Sequence, residues 1–381
     1  MIRIALTGGG TGGHMYPLIA VAEEIRSFAR QTGTPVEMVY FGEAVSYEQL
    51  ITETGATFQR IVSSKWRRYF SLWNLLEIPK FFIGCAQALW KLYWHMPDVM
   101  FSKGGPGTVP IILVSRFYMI PIVVHESDSI PGRANRIAGR FAKKVFVGFA
   151  SAMDFFPKQR VEISGNPVRA ELVAHADYSD NLENHAAAKR SFGFNDQEPL
   201  VCVFGGSQGA QSLNNFVMEN ARELVRHFQI LHQVGDGNLE NYKKEYEFTS
   251  KDWSEIDKKR YHYQGYFVDD LAEAYRAADV VLARAGASTL YECALFGKPA
   301  ILIPLPSAAN GHQKENAHNY AKSGAAIVVE EENFRAHLII EQVQKIVQNP
   351  ELMRTMGENA RGFYKANAAR VIAEGVLRTA V

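Results

Sequence analysis

Short runs of aliphatic and β-branched residues, each closing on a glycine turn and opening into a helical stretch, recur along this chain and restrict its fold more than any other feature. "IRIALTGGG" (residues 2–10) is the first, and "YPLIAVAEEIRSFARQ" after it puts Leu18, Ile19, Ala22, Ile25 and Phe28 near helical spacing, with charge on the opposite face. The pattern returns in "VEMVYFGE", "PDVMFSKGGPG", "PIVVHES" and "KVFVGF". Strands alternating with helices build a parallel sheet covered on both faces, because a parallel neighbour is reached only by a crossover. After "SGNPVRAEL" a second series repeats the grammar in "EPLVCVFGGSQGAQSLNN", "QILHQVGDG", "RYHYQGY", "ADVVLARAGASTLYECALFG" and "PAILIPLP". The expected fold class is α/β, with two doubly wound Rossmann-like domains.

The length of 381 residues suits two such domains. Their boundary falls near Gly165 to Arg169, where Gly-Asn-Pro interrupts the pattern and the polar stretch Asp177 to Gln197 soon follows. The expected domains are 1–166 and 167–357. The C-terminal helix, about 358–381, is taken to join the first, although periodicity does not say which half it packs on. Charged residues make up 21% of the chain with a formal net charge of +1, so no global field argues for a nucleic-acid partner. Cys85, Cys202 and Cys293 lie far apart without metal-ligand spacing, which fits a reducing compartment and neither a zinc site nor a disulfide framework. "MIRIAL" meets a glycine turn too soon for a signal peptide, so a cytoplasmic setting is expected.

In open α/β sheets ligands bind at the carboxyl ends of the strands, where glycine turns admit oxyanions to backbone N–H groups and helix N-termini favour negative charge. "TGGGTGGHMYP" (residues 7–17) places five glycines in seven positions and ends on His14 and Pro17; "FGGSQGAQSLN" opens the second half, and "SKGGPGTVP" follows another strand of the first. Neither main loop carries the lysine of a nucleoside-triphosphate loop. A lone glycine loop is as often a tight turn as a phosphate site, but one in each half suits an enzyme that brings two phosphorylated substrates together. A dinucleotide-binding dehydrogenase would need an acid about twenty residues after the glycines; Glu43 stands at a strand end but too far along. In "RAGASTLYECALFGKP" a glycine turn leads into a helix carrying Glu292 among apolar Leu290, Cys293, Ala294 and Leu295, where a carboxylate can accept from a ribose diol. "NGHQKENAHNY" gathers amides and His312 after a strand, suited to sugar hydroxyls or simply a polar helix start.

Taken in order, "GGGTGGHMYP", "GGPGTVP", "HESDSIPGRANR", "GNPVR", "GGSQGAQSLN", "YFVDDLAEAYRAADVVLARAGASTLYE" and "HQKENA" resemble the MurG family of glycosyltransferases over nearly the whole chain. The resemblance implies a GT-B fold, two Rossmann-like domains facing across a cleft. It implies inverting, metal-independent transfer of N-acetylglucosamine from UDP-N-acetylglucosamine to the 4-hydroxyl of a polyprenyl-pyrophosphoryl MurNAc-pentapeptide, a step of peptidoglycan synthesis. No cofactor is expected. By the same resemblance, Ser207, Gln208 and Arg169 lie by the donor diphosphate, Val268 at the uracil and Glu292 at the ribose. His312, Gln313 and Asn316 meet the sugar hydroxyls. In the first half the loop Gly9 to His14 and the turn Gly104 to Gly107 receive the acceptor diphosphate through Gly9, Gly10, Gly104 and Gly105, with Thr11, Gly12 and Gly13 also reaching the donor. His125, Glu126, Asp128 and Asn135 stand at the cleft. An inverting transfer needs a base for the attacking hydroxyl, and histidine titrates nearest neutral pH, so His14 is the expected base or orienter. Glu126 is the second candidate, its carboxyl raised by partial enclosure. His125 is expected to shape its loop. Adjacent Asp269 and Asp270 are read as a helix cap and not as metal ligands.

The stretch 63–97 crowds Trp66, Phe70, Trp73, Leu76, Phe81, Phe82 and Trp90 together with Arg67, Arg68 and other basic residues, and is interrupted too soon to span a membrane. Composition leaves a buried amphipathic helix and an interfacial one about even. The family's lipid-linked acceptor favours the second, with an anionic membrane surface as partner and a peripheral location on the cytoplasmic face. Three departures from the family pattern bear on the acceptor: Ser127 and Asp128 replace two amides, "GGPGTVP" replaces a longer-sided turn, and Gly311 replaces an acid. The new charge of Asp128 requires a partner, and Arg133 or Arg136 is expected to supply it. A UDP-sugar transferase acting on another lipid and a UDP-N-acetylglucosamine epimerase-like enzyme remain open.

Overall fold

The computed structural model describes residues 1–64, 73–176, 182–206 and 209–380, with positions 73–76 and 309 described by backbone alone. Two compact units make up the chain, Met1–Ala170 with Lys365–Val381, and Glu171–Tyr364. The chain therefore passes between units at 170/171 and 364/365, slightly later than the sequence-based bounds. The second shift has a local cause: the helix Pro350–Phe363 runs unbroken through position 358 and its Phe363 packs on Tyr291 and Tyr320 of the second unit.

The first unit runs β1 (Ile2–Thr7), α1 (Gly12–Thr32), β2 (Val36–Gly42), α2 (Glu48–Glu53), β3 (Thr57–Arg60), α3 (Trp73–His95), β4 (Val99–Ser102), α4 (Val109–Phe117), β5 (Ile122–Glu126), α5 (Arg133–Phe141), β6 (Lys144–Val147) and β7 (Val161–Ile163). Its seven strands pair in parallel in the order β3-β2-β1-β4-β5-β6-β7. Alternation along β1 sends Ile4 and Leu6 to a core shared with Leu18, Val21 and Ile25 of α1, and Ala5 to one shared with Ile111 and Ile112 of α4. The C-terminal helix Ala368–Ala380 returns to the first core through Ile372, Ala373, Val376 and Leu377. Phe28, read as part of the buried face of α1, is 37% exposed. A helix of 21 residues is about 31 Å long, whereas a six-residue strand spans about 20 Å, so the last turns of α1 overhang the sheet.

The second unit contains α6 (Ala170–His175), α7 (Leu182–Ser191), β8 (Leu200–Phe204), α8 (Gln211–Leu224), β9 (Gln229–Gln233), α9 (Asp236–Thr249), α10 (Glu255–Lys259), β10 (Tyr261–Gln264), α11 (Leu271–Ala277), β11 (Val280–Ala283), α12 (Ala287–Leu295), β12 (Ala300–Leu302), α13 (His312–Ala321), β13 (Ala326–Val328), α14 (Ala336–Val347) and α15 (Pro350–Phe363). Its six parallel strands lie in the order β10-β9-β8-β11-β12-β13. In both sheets the strand order reverses beside the first strand of its series, between β1 and β4 and between β8 and β11. The turns after these strands are the glycine stretches singled out in the sequence, and such a reversal is where open α/β sheets leave a crevice for ligands.

Candidate active site

In the first unit the turn after β1 and the turn after β4 touch backbone to backbone. Gly9 N–H donates to the Gly104 carbonyl at 2.7 Å, and a Cβ added to Gly105 would lie 2.6 Å from the Gly9 Cα. Gly104 and Gly105 hold φ of 79° and 106°, and a Cβ on Gly104 would meet the Asn135 side chain at 2.3 Å. Gly9 and Gly105 are glycine because the two turns need each other's space, and Gly104 because of its positive φ and the Asn135 side chain against it, a packing reason that stands beside the expected pyrophosphate one. Gly10 and Gly13 differ: a Cβ on Gly10 would meet only the Ala44 Cα at 3.8 Å, and one on Gly13 nothing within 4 Å. Thr11 and Gly12 lead into α1, whose N-cap is Thr11. Pro17 lies inside the helix and has no N–H for the Gly13 carbonyl. The Gly8 carbonyl accepts from the buried Tyr40 hydroxyl at 2.9 Å, a support from β2 that the sequence reading missed. His14 sits half-buried in the first turn of α1, its ring edge against Gly9 and Gly105.

The end of β5 is a buried polar network. Glu126 is 3% exposed and accepts from Asp128 N at 2.9 Å, Gly132 N at 3.1 Å and Asn135 Nδ2 at 2.9 Å. Burial, then the neighbouring Asp128, raises its carboxyl above the usual range, against the pull of Lys103. The carboxylate expected as a second base is thus committed to bracing the loop 127–132. Asn135, expected to face the acceptor, is 3% exposed and also donates to the His125 carbonyl at 3.2 Å. His125 is fully buried with Nε2 at 3.0 Å from the Gly165 carbonyl, and burial together with the Lys103 charge holds it well below its usual value, so it is a neutral ring shaping its loop. Lys103, buried beneath the turn after β4, donates to Ser127 Oγ at 2.9 Å, and the charges of Glu126 and Asp128 act on it against a burial that lowers it. Sequence reasoning overlooked this lysine, although a cation directly between a strand and a glycine turn was the signal. Arg136, one cation expected to answer Asp128, instead donates to the Pro131 carbonyl at 3.2 Å and lies over the Phe155 ring. Arg169, at the end of this unit, stacks its guanidinium 4.2 Å from the Tyr16 ring centroid in α1.

In the second unit Ser207 and Gln208 lie outside the described residues. Around them the loop is tight: Gly206 and Gly209 have φ of 84° and 73°, and the Gly206 carbonyl accepts from Gln233 at 3.0 Å. Glu292 is the sixth residue of α12, half-buried, and its Oε2 accepts from the Tyr275 hydroxyl at 2.8 Å. Arg284, directly after β11, is a second cation between strand and glycine turn. It donates to both oxygens of Glu331 at 2.6 and 3.0 Å, to the Ile303 carbonyl at 2.9 Å and to Ser212 Oγ in α8. Those hydrogen bonds hold the Glu331 carboxyl below its usual value. Where the first unit ties its two central turns together through glycine backbone, the second does so through an arginine. His312 and Gln313 open α13 after Gly311 (φ 68°), and Gln313 Oε1 accepts from Leu305 N at 3.0 Å. Asn316, expected at the sugar, is fully buried and donates to the Ala285 carbonyl at 3.2 Å, so it supports the turn before α12. Val268 stands 65% exposed in the loop after β10. Asp270 occupies the N-cap of α11, but its carboxylate accepts from Gln264 at 3.1 Å and does not cap the helix.

The aromatic surface lies on α3 and α4. Trp66, Arg67, Arg68 and Phe70 lie outside the described residues, and so do the side chains of Trp73 and Leu76. Phe81 is half-buried and Phe82, Trp90, Tyr93 and Trp94 are exposed, as is Phe117 at the end of α4. The last four of these α3 and α4 rings continue one another through Tyr118, whose hydroxyl donates to the Leu89 carbonyl at 3.1 Å. Exposed aromatic area of this extent is rare on a monomer without a partner surface. Among the described residues no helix is long and apolar enough to cross a membrane.

The chain matches the glycosyltransferase family 28 N-terminal domain over residues 4–147 and the family 28 C-terminal domain over residues 200–376. It is 34% identical to the UDP-N-acetylglucosamine–N-acetylmuramyl-(pentapeptide) pyrophosphoryl-undecaprenol N-acetylglucosamine transferase of Legionella pneumophila (strain Paris), over 91% of this chain and 90% of the relative. With the protein of the same description from Geobacter metallireducens the identity is 32% over 99% of this chain and 98% of that one. Among solved structures, MurG of Acinetobacter baumannii superposes with a TM-score of 0.70 at 23% identity, covering 99% of this chain and all of that one. The UDP-GlcNAc 2-epimerase of Neisseria meningitidis shares the fold at a TM-score of 0.68 and 13% identity. A GT-B pair of parallel-sheet units, family 28 domains in both and a third of residues shared along almost the full length lead to one assignment: the chain belongs to glycosyltransferase family 28, in its MurG branch.

Proposed function

We propose that the chain transfers N-acetylglucosamine from UDP-N-acetylglucosamine to the 4-hydroxyl of polyprenyl-pyrophosphoryl MurNAc-pentapeptide, the lipid I to lipid II step of peptidoglycan synthesis, with inversion and without a metal. The observation that carries this reading is the 34% identity, over 91% of the chain, to a curated transferase of that description. The likeness to the epimerase is one of fold alone.

On the donor side Glu292, oriented by Tyr275, accepts from the ribose diol, and exposed Val268 lies against the uracil. Gln313 holds the Leu305 N–H with its carbonyl oxygen and keeps its amide N–H groups for a sugar hydroxyl, beside His312. Ser207, Gln208 and Arg169 take the diphosphate, and backbone N–H groups with Arg169 stabilise the charge that develops on departing UDP. On the acceptor side the open backbone at Gly10 and Gly13, at the amino end of α1, receives the pyrophosphate. His14 is the base or orienter for the attacking hydroxyl. Glu126 and Asn135 act through the loop they brace, not on substrate. The aromatic surface of α3 and α4 seats the protein peripherally on the anionic cytoplasmic face of the membrane, where its acceptor is anchored.

The test is transfer of labelled N-acetylglucosamine to that acceptor in the presence of a chelator. Wild type should be active, His14→Ala should lose kcat, and Glu292→Ala should chiefly raise the donor KM. Donor binding without transfer to this acceptor, or conversion of the donor to its 2-epimer, replaces the reading. Anionic vesicles should sediment wild type and retain less of a Trp90→Ser/Trp94→Ser variant.

A further inference from the structure

The second unit contains a cavity of about 460 Å³ at the amino ends of β11 and β12, the end of the sheet opposite the glycine turns. That volume falls within the range of small-molecule sites, about 300–1,000 Å³. Phe296, Pro299 and Met353 give it an apolar lining, and Arg276, Lys298, Arg354 and Arg361 add four cations. Asp279 is the one carboxylate among the lining residues, and it is already answered: it accepts from Leu200 N at 2.7 Å, Lys189 Nζ at 2.7 Å and His185 Nε2 at 3.3 Å. The acids that pair with Arg276 and Arg354, namely Glu273, Glu351 and Glu358, do not line the cavity. Lys298 donates to the carbonyls of Arg276 and Ala278 at 3.0 and 2.9 Å, which leaves the third N–H of its ammonium. An apolar lining that carries guanidinium groups and the remaining ammonium N–H of Lys298, with its one carboxylate already answered, is complementary to a small anion with a ring or short hydrocarbon body, a carboxylate or a phosphate ester.

The cavity also reaches the donor side through two contacts. Phe296 lies parallel to Tyr275, with ring centroids 5.2 Å apart and planes 7° from parallel, and the Tyr275 hydroxyl holds Glu292 Oε2 at 2.8 Å. We propose that this cavity is a second ligand site for such an anion, and that its occupancy is felt at Glu292 through the Phe296–Tyr275 stack. The second half of that statement rests on the reading of Glu292 as the donor-ribose carboxylate; the first does not. Because coupling between two sites is reciprocal, a ligand in the cavity and UDP change each other's affinity by the same factor.

Calorimetric titration of the full chain with phenyl phosphate tests both halves, with inorganic phosphate and phenol as separate arms. One site is expected, weakened at least tenfold by Arg354→Glu on the exposed side of α15 and by Met353→Glu inside the cavity, each variant being checked for an unchanged melting temperature. Phosphate alone or phenol alone should bind at least tenfold more weakly. Saturating UDP should shift the phenyl phosphate affinity, and Tyr275→Phe should remove that shift while leaving probe binding intact. No binding, binding that both variants retain, or equal binding of inorganic phosphate overturns the site. Binding that UDP does not alter overturns the coupling. If Glu292→Gln leaves UDP affinity unchanged, the donor-site reading fails, and the effect of Arg354→Glu still decides the cavity.

Discussion

Gly105→Ala separates the two reasons for which a turn can be glycine. The φ of 106° at this position suits few residues but glycine, and the new Cβ would lie 2.6 Å from the Gly9 Cα and 2.8 Å from its nitrogen. Strain at such a φ costs about 1–3 kcal/mol. Relieving the overlap means parting the turns after β1 and β4, which breaks the Gly9 to Gly104 hydrogen bond at about 0.5–1.5 kcal/mol. The sum is about 2–4 kcal/mol, or a fall of about 5–15 °C in the melting of a unit of this size. Scanning calorimetry should place the loss in the first unit. Gly13→Ala is the counterpart. Its Cβ meets nothing within 4 Å and it lies within α1, where alanine is the better helix former by up to about 1 kcal/mol. That variant should melt at or above wild type yet show a raised acceptor KM, because on the proposed function its methyl group stands where the pyrophosphate approaches. The reasoning is refuted if Gly105→Ala melts within 2 °C of wild type, as roughly a 1 kcal/mol effect would, or if Gly13→Ala is the less stable of the two.

Tyr275→Phe removes one hydrogen bond from Glu292 and should raise the donor KM about 3–10-fold with kcat nearly unchanged; an equal fall in kcat would mean that Tyr275 touches the reaction itself. Lys103→Met keeps the bulk of a buried side chain but removes its hydrogen bond to Ser127 and the cation whose charge acts on Glu126 and Asp128, so the denaturant midpoint should fall by the equivalent of about 1.5–3 kcal/mol. The Glu331 carboxyl is held below its usual value by the Arg284 hydrogen bonds. Its contribution to stability is therefore present above the ordinary carboxylate value and lost as pH falls through the lower folded one. Wild type should be more stable than Glu331→Gln at neutral pH, the two curves should meet in acid, and a gap independent of pH would refute the sign.

Much of the architecture was local and therefore readable. Each strand, its glycine turn and the following helix adjoin in sequence, and period alone distinguishes a buried strand from an amphipathic helix. The ordered motifs of family 28 likewise stand in the chain as written, and with them the candidate residues His14, Glu292 and His312. What could not be read is what those motifs lean on. Asp128 was expected to be answered by Arg133 or Arg136, whereas the order β4-β5 puts Lys103 where the two charges act on one another; Glu126 and Asn135 of "HESDSIPGRANR", expected at the cleft, bond one another. Gly9 and Gly105 are separated by nearly a hundred residues, and their mutual contact exists only because β1 and β4 are neighbours at the point where the strand order reverses. The sequence by itself determined the two α/β units, their glycine turns and the family; only the tertiary structure decided which polar side chains brace the turns and which stand open. Hydrogen-bonding capacity is the same in either role, and it is strand adjacency, set by packing of the whole sheet, that uses it up.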